Sequence, residues 1–105
     1  MDITETQEES NLVIKLSGNL NTETASDFHD VLIPELEAGK NVILDFSELK
    51  HISSAGLRVL LIGERVSKST GAKQTFRGVL PEIMEILQMT GFSSILSIEQ
   101  AESAS

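Results

Sequence analysis

The 105-residue chain contains no cysteine, which excludes disulfides and thiolate-ligated metal centres. It is also poor in positive charge, with 8 basic residues against 16 acidic ones and a formal net charge of −8. That balance repels phosphate backbones and anionic membranes, and no continuous basic stripe is present, so neither nucleic acid nor a membrane is expected as a partner. No apolar run approaches the roughly 20 residues needed to cross a bilayer. The opening MDITETQEES lacks the basic-then-apolar layout of a signal peptide, and a cytoplasmic protein is expected. Repeats, linkers and biased tracts are missing too, and two half-sized domains would each be marginal at this length. The expectation is therefore one domain over 1–105, ordered over about 3–98 and frayed over the small polar tail 99–105.

What is present is an alternation of strand-like and helix-like segments. Ile3–Gln7 alternates weakly and Leu12–Leu16 strongly, with the polar turn Glu8–Asn11 between them, which predicts an opening hairpin. After Gly18 come the cap-type residues Asn21 and Thr22, then Ala25, Phe28, Leu32 and Leu36 at helical spacing. Pro34 lies within that helix and predicts a kink or break near Val31–Ile33. Val42–Phe46 is a continuous apolar run interrupted only by Asp45, as in a central strand covered on both faces. A polar bend follows, and then a helix over about Ser54–Ser69, stopped by Gly71. Its apolar residues form two stripes, Leu57/Leu60/Leu61 and Val59/Ile62/Val66, more than one core face needs. Lys73–Val79 reads as a strand weakened by Gly78. Pro81 suits the first turn of a helix that ends at Gly91, with Met84 and Met89 as core packing, and Ile95–Ile98 as a last strand. The order ββαβαβαβ implies an α/β fold with a mixed sheet.

The bend His51-Ile-Ser-Ser-Ala-Gly-Leu57 marks a helix N-terminus, whose first amides lack internal partners and carry partial positive charge. A serine there can be a simple cap or can frame an anion site, and residue types alone leave both open. Only one of Ser53 and Ser54 can be the cap, so the other is free to face solvent. Ser54, His51 and Asp45 could be imagined as a nucleophilic triad, but the Gly-x-Ser-x-Gly elbow is missing and His51 reads as an exposed loop residue. The closest approach to a P-loop, GERVSKS, has Lys68 where the second glycine belongs. The acidic clusters lack the rhythm of a calcium loop and read as solvated faces. Neither a cofactor nor a metal is expected, and no enzymatic activity.

DFSELKHISSAGLRVLL, preceded by SGNLNTETA and followed by GVLPEIMEILQMTGFSSIL, resembles the STAS domain family, in particular the small free-standing bacterial anti-sigma factor antagonists. The resemblance spans about Ile3 to Ile98. It implies a protein-binding module that, unphosphorylated, docks on a partner combining serine kinase and anti-sigma activity and so releases that partner's target. Phosphorylation by that kinase would inactivate it, and a PP2C-type phosphatase would reset it. Carried over, the acceptor is Ser54, with Ser53 as runner-up. Ser53 stands where the family often has aspartate and Ala55 where it often has a second hydroxyl, which leaves Ser54 the better acceptor. Asn21 replaces a frequent acidic residue before the first helix. The implied partner surface comprises Asn21, Thr22, His51, Ser53, Ser54, Ala55, Gly56, Leu57, Arg58, Val59 and Ile62. The alternative is a STAS module that senses or scaffolds, binding a nucleotide, lipid or protein without a phosphorylation cycle.

Overall fold

The computed structural model describes residues 1–98, so the expected frayed tail 99–105 lies outside the described residues. The elements follow the expected order: β1 (Asp2–Glu8), β2 (Asn11–Leu20), α1 (Thr22–Glu37), β3 (Asn41–Ile52), α2 (Ser54–Thr70), β4 (Gln74–Arg77), α3 (Pro81–Met89), a 3-10 turn (Phe92–Ser94) and β5 (Ser97–Ile98). They form one sheet of five strands in sequence order. The β1–β2 pair is antiparallel, and each later strand pairs parallel with its predecessor. This follows from the connections: a tight turn through Glu9, at φ 56, reverses the chain once, and every later link carries a helix or helical turns long enough for a crossover.

Side-chain alternation decides which face the helices occupy. Leu12 and Ile14 register with Val42 and Leu44, and these with Gln74 and Phe76. Most of that row joins Phe28, Leu32 and Leu36 of α1, Leu57 and Leu60 of α2, and Ile83 and Leu87 of α3 in one apolar core. Phe46 and Phe76 meet edge to face with ring centroids 5.4 Å apart, a favoured aromatic geometry. The other row faces away from the helices; Val13 in it is buried, but Lys15, Ile43, Asp45, Thr75 and Arg77 are only partly buried. β3 is central, as expected, but covered on one face rather than two. Asp45, which looked like an interruption in an apolar run, is an outward position of a period-2 strand.

Five further expectations are corrected. β3 does not stop at Phe46 but continues to Ile52, carrying Ser47–His51 as extended backbone, because β2 also runs on to Leu20 and supplies a partner. Register shifts near Lys15–Ser17 and Gly18–Asn19 absorb the irregular stretch, with Gly18 at φ 107. Pro34 does not break α1, which runs through to Glu37. The carbonyl deprived of its partner belongs to Asp30, an exposed residue, where water can replace the missing N–H. Met89 is not core: it is 79% exposed, while Met84 is half-buried. β4 is shorter than Lys73–Val79, ending before Gly78 at φ 69. The last strand is likewise only Ser97–Ile98.

On the open face Asp45 accepts from the Ser47 N–H at 2.9 Å and lies 3.7 Å from Arg77, which also pairs with Glu8 at 3.1 Å. Burial works to raise the Asp45 pKa, but the Ser47 backbone and hydroxyl, Arg77 and Lys15 together outweigh it and hold the carboxyl below its usual value. Glu8 is lowered as well, chiefly by its hydrogen bond from Arg77. A depressed carboxylate contributes stability above its unfolded pKa of about 4 and loses it as pH falls through the folded value. Asp45→Asn should therefore cost at most about 1 kcal/mol at neutral pH, the pair being partly exposed and screened. Urea titrations should show that difference shrinking as the pH is taken below about 4.

Candidate functional site

The site is set by the parallel run of β2 beside β3. Asn19 registers with His51 and Leu20 with Ile52, and the Ser53 N–H donates to the Leu20 carbonyl at 2.8 Å. Each strand then turns directly into a helix, at Thr22 and at Ser54. Two helix N-termini thus lie side by side at the C-terminal edge of the sheet, where unpaired amides concentrate partial positive charge.

The two serines divide the work of the turn. Ser53 is the N-cap, in extended geometry at φ −95 and ψ 174, and its hydroxyl oxygen accepts from the Gly56 N–H at 3.3 Å. Its carbonyl takes the Leu57 N–H at 2.9 Å. Ser54 is the first helical residue and is exposed. No acidic residue occupies the first turn of α2, and Arg58, one turn further on, is also exposed. Gly56 is buried under this turn: a Cβ there would meet Leu20 Cγ at 2.7 Å and Ile52 Cγ1 at 3.0 Å. Its lack of a side chain is what lets α2 start directly on the strand ends.

The α1 N-terminus is closed by a reciprocal capping box. Asn21 Oδ1 accepts from the Glu23 and Thr24 N–H groups at 3.0 Å, while Thr24 Oγ1 accepts from the Asn21 N–H at 2.8 Å. The asparagine that replaces a frequent acidic residue is thus committed to the helix. Thr22 beside it is exposed. Asn19, absent from the sequence reading, is an exposed neighbour of His51; its signal was the position of SGNLNTETA just ahead of a helix cap, but the pairing partner could not be read from that.

Of the surface residues proposed from sequence, Thr22, His51, Ser54 and Arg58 face solvent, and Asn21, Ser53, Ala55 and Ile62 are partly exposed. Gly56, Leu57 and Val59 are buried, Leu57 and Val59 within the apolar core. Val59 therefore leaves the candidate surface, while Ile62 and Val66 of the same stripe are partly exposed and pack against the core. His51 is not in a loop but at the end of β3. It lies six residues from Asp45 on that strand, about 20 Å of extended chain, so those two and Ser54 cannot assemble as a triad. Among the described residues no group of three or more His, Asp and Glu side chains is placed to hold a metal ion, and no helix is long and apolar enough to cross a membrane.

The STAS domain model matches residues 2–104. This chain belongs to the STAS domain family. A candidate anti-sigma factor antagonist, BtrV of Bordetella bronchiseptica, is 29% identical over 94 residues, 89% of this chain and 81% of that protein. The crystal structure of a candidate anti-sigma factor antagonist of Thermotoga maritima superposes with a TM-score of 0.86 at 21% identity, covering 96% of this chain and 88% of the other. The Bacillus protein SpoIIAA in its phosphorylated form gives 0.72 at 16% identity, covering 97% and 95%. The structural likenesses share the sheet and helix arrangement described above, and the small STAS domain accounts for nearly the whole matched chain.

Within this STAS domain the serine at the cap and the serine beside it should respond differently to truncation. Ser53→Ala removes the acceptor for the Gly56 N–H and should cost about 1 kcal/mol. Ser54→Ala, at an exposed hydroxyl, should stay within about 0.5 kcal/mol of the native value. Gly56→Ala, crowding Leu20 and Ile52, should cost about 1–3 kcal/mol. Urea denaturation of the three variants measures all of these, and a Ser54→Ala loss matching that of Ser53→Ala would contradict the assignment of the cap.

Proposed function

We propose that this STAS domain is an anti-sigma factor antagonist switched by phosphorylation of Ser54. Unphosphorylated, it binds a partner that is both serine kinase and anti-sigma factor and frees that partner's target. Phosphorylated, it lets go, and a PP2C-type phosphatase restores it. The observation that carries this reading is the exposed Ser54 at the first position of α2 beside a cap already provided by Ser53. The relatives support the class of partner: BtrV bears the name of an anti-sigma factor antagonist and SpoIIAA is known in a phosphorylated form.

The electrostatics favour a switch of binding over a switch of folding. A phosphoserine adds about −1.5 to −2 charge, on a chain already at −8. At the first position of a helix that charge meets unpaired amides and the positive end of the helix dipole. Arg58, four residues on and exposed, lies on the same helix face and can pair with it. The domain accommodates the phosphate, while a partner docked over Thr22, His51, Ser54 and Arg58 meets new bulk and negative charge.

With the cognate kinase partner and labelled ATP, Ser54→Ala should abolish phosphate incorporation and retain partner binding, whereas Ser53→Ala should still be labelled. Ser54→Asp should weaken binding at least about 10-fold, or roughly 1.4 kcal/mol, by calorimetry. Undiminished labelling of Ser54→Ala would overturn the acceptor, and unchanged affinity of Ser54→Asp would overturn the electrostatic account.

A further inference from the structure

Ten residues beyond Ser54 on the same helix, about 15 Å along its axis, α2 and the start of β4 line a half-open cavity with a volume of about 300 Å³. Glu64, Ser67, Lys68, Lys73 and Gln74 line it. Three of these are buried, Glu64 at 8% exposure and Ser67 and Gln74 at 3%. Glu64 Oε1 and Gln74 Oε1 are buried acceptors with no hydrogen-bond partner. A buried acceptor left unpaired costs the desolvation of that group with no return, and more so for a carboxylate.

The neighbours do not relieve them. Gln74 is pinned by its Nε2–H, which donates to the Leu60 carbonyl at 3.2 Å. Its Oε1 is thereby pressed against Gly63, where any Cβ would overlap it. The Ser67 hydroxyl donates to the Glu64 backbone carbonyl at 2.8 Å and not to its carboxylate. Lys68 Nζ stands 4.0 Å from the other carboxylate oxygen, on a side chain that is 72% exposed. The last torsion of a glutamate is soft, so its unpaired oxygen can turn into the cavity at little cost.

The charges around the cavity select its occupant. Glu64 supplies one negative charge at the inner side, while Lys68 and the exposed Lys73 supply two positive charges at the rim. A bare cation would be repelled by that rim, and a bare anion would leave the Glu64 carboxylate unpaired. The volume is at the lower end of the range for small-molecule sites. We propose that this cavity binds a small amphoteric molecule of the amino-acid class. Its ammonium end donates to the Glu64 carboxylate, turned into the cavity, and its carboxylate end lies against Lys68 and Lys73. The proposal does not depend on Ser54 being phosphorylated.

The test is a set of 1H–15N correlation spectra of the full chain with millimolar glycine, β-alanine, γ-aminobutyrate or ε-aminocaproate. This series varies the spacing between the two charged ends. Acetate and n-butylamine serve as single-ended controls. At least one amino acid should shift the backbone amides of Ser67, Lys68 and Gln74 and the Gln74 side-chain amide by more than either control does. The response should vanish in Glu64→Ala. The double variant Lys68→Ala/Lys73→Ala, altered only at exposed side chains, should keep the native spectrum and bind at least about 10-fold more weakly. No shift with any member of the series would overturn the proposal. So would shifts matched by acetate alone, or binding unchanged in the double lysine variant.

Discussion

The parallel pairing of β2 with β3 over almost their whole lengths is the constraint from which the rest of this domain follows. It ends on the bond from the Ser53 N–H to the Leu20 carbonyl, 2.8 Å long, and that bond leaves the chain no room for a loop before α2. Both strands must turn into helices at the same edge. Because both helices return across the same face, their apolar sides meet each other and the Leu12, Ile14, Val42 and Leu44 row in one core. The opposite face is left to ion pairs such as Lys15–Glu48 and Arg77–Glu8. Gly56 is the local condition for this arrangement, since α2 begins in contact with Leu20 and Ile52.

From that packing comes the separation of two jobs that adjacent serines could have shared. A cap must point its oxygen back along the helix, which hides it; a residue to be modified must point outward. Ser53 does the first, and Ser54 is exposed, as the proposed second role requires. Stability at the turn therefore rests on Ser53 and Gly56, and chemistry at Ser54 can change without disturbing either. In the proposed switch this matters, because a modification that unfolded the domain would remove the protein rather than its affinity. The inferred amphoteric site shares α2 but lies towards its other end, on side chains the turn does not use.

Element order and type were legible because Leu12–Leu16, Phe28–Leu36 and Leu57–Leu61 carry the right periods and Gly71, Pro81 and Gly91 punctuate them. The extent of β3 was not, because Ser47–His51 is polar and only a neighbouring strand can hold it extended. Nor was the one-sidedness of the sheet: Ile43 looks as apolar as Leu44, and only the helices' position tells them apart. Pro34 misled for a similar reason, since its cost depends on whether the orphaned carbonyl meets water. At the site, the adjacent serines and the caps were readable from residue type. Which serine caps, and that Val59 is core while His51 ends a strand, depended on the register between β2 and β3, which no local pattern encodes. The cavity at Glu64 was invisible for the same reason, since Glu64 and Gln74 meet only through the α2–β4 packing.

The central claim is that charge added at Ser54 alters the surface of the domain and leaves its interior as it was. One measurement addresses it directly: the 1H–15N correlation spectrum of the protein phosphorylated by the proposed kinase partner, compared with that of the unmodified chain. Shifts confined to Asn19–Thr22 and His51–Arg58, with the amides of Phe28, Leu44 and Leu60 unmoved, are the predicted result. Shifts spreading through those core positions, or a phosphate found on Ser53 with the cap lost, would contradict the account.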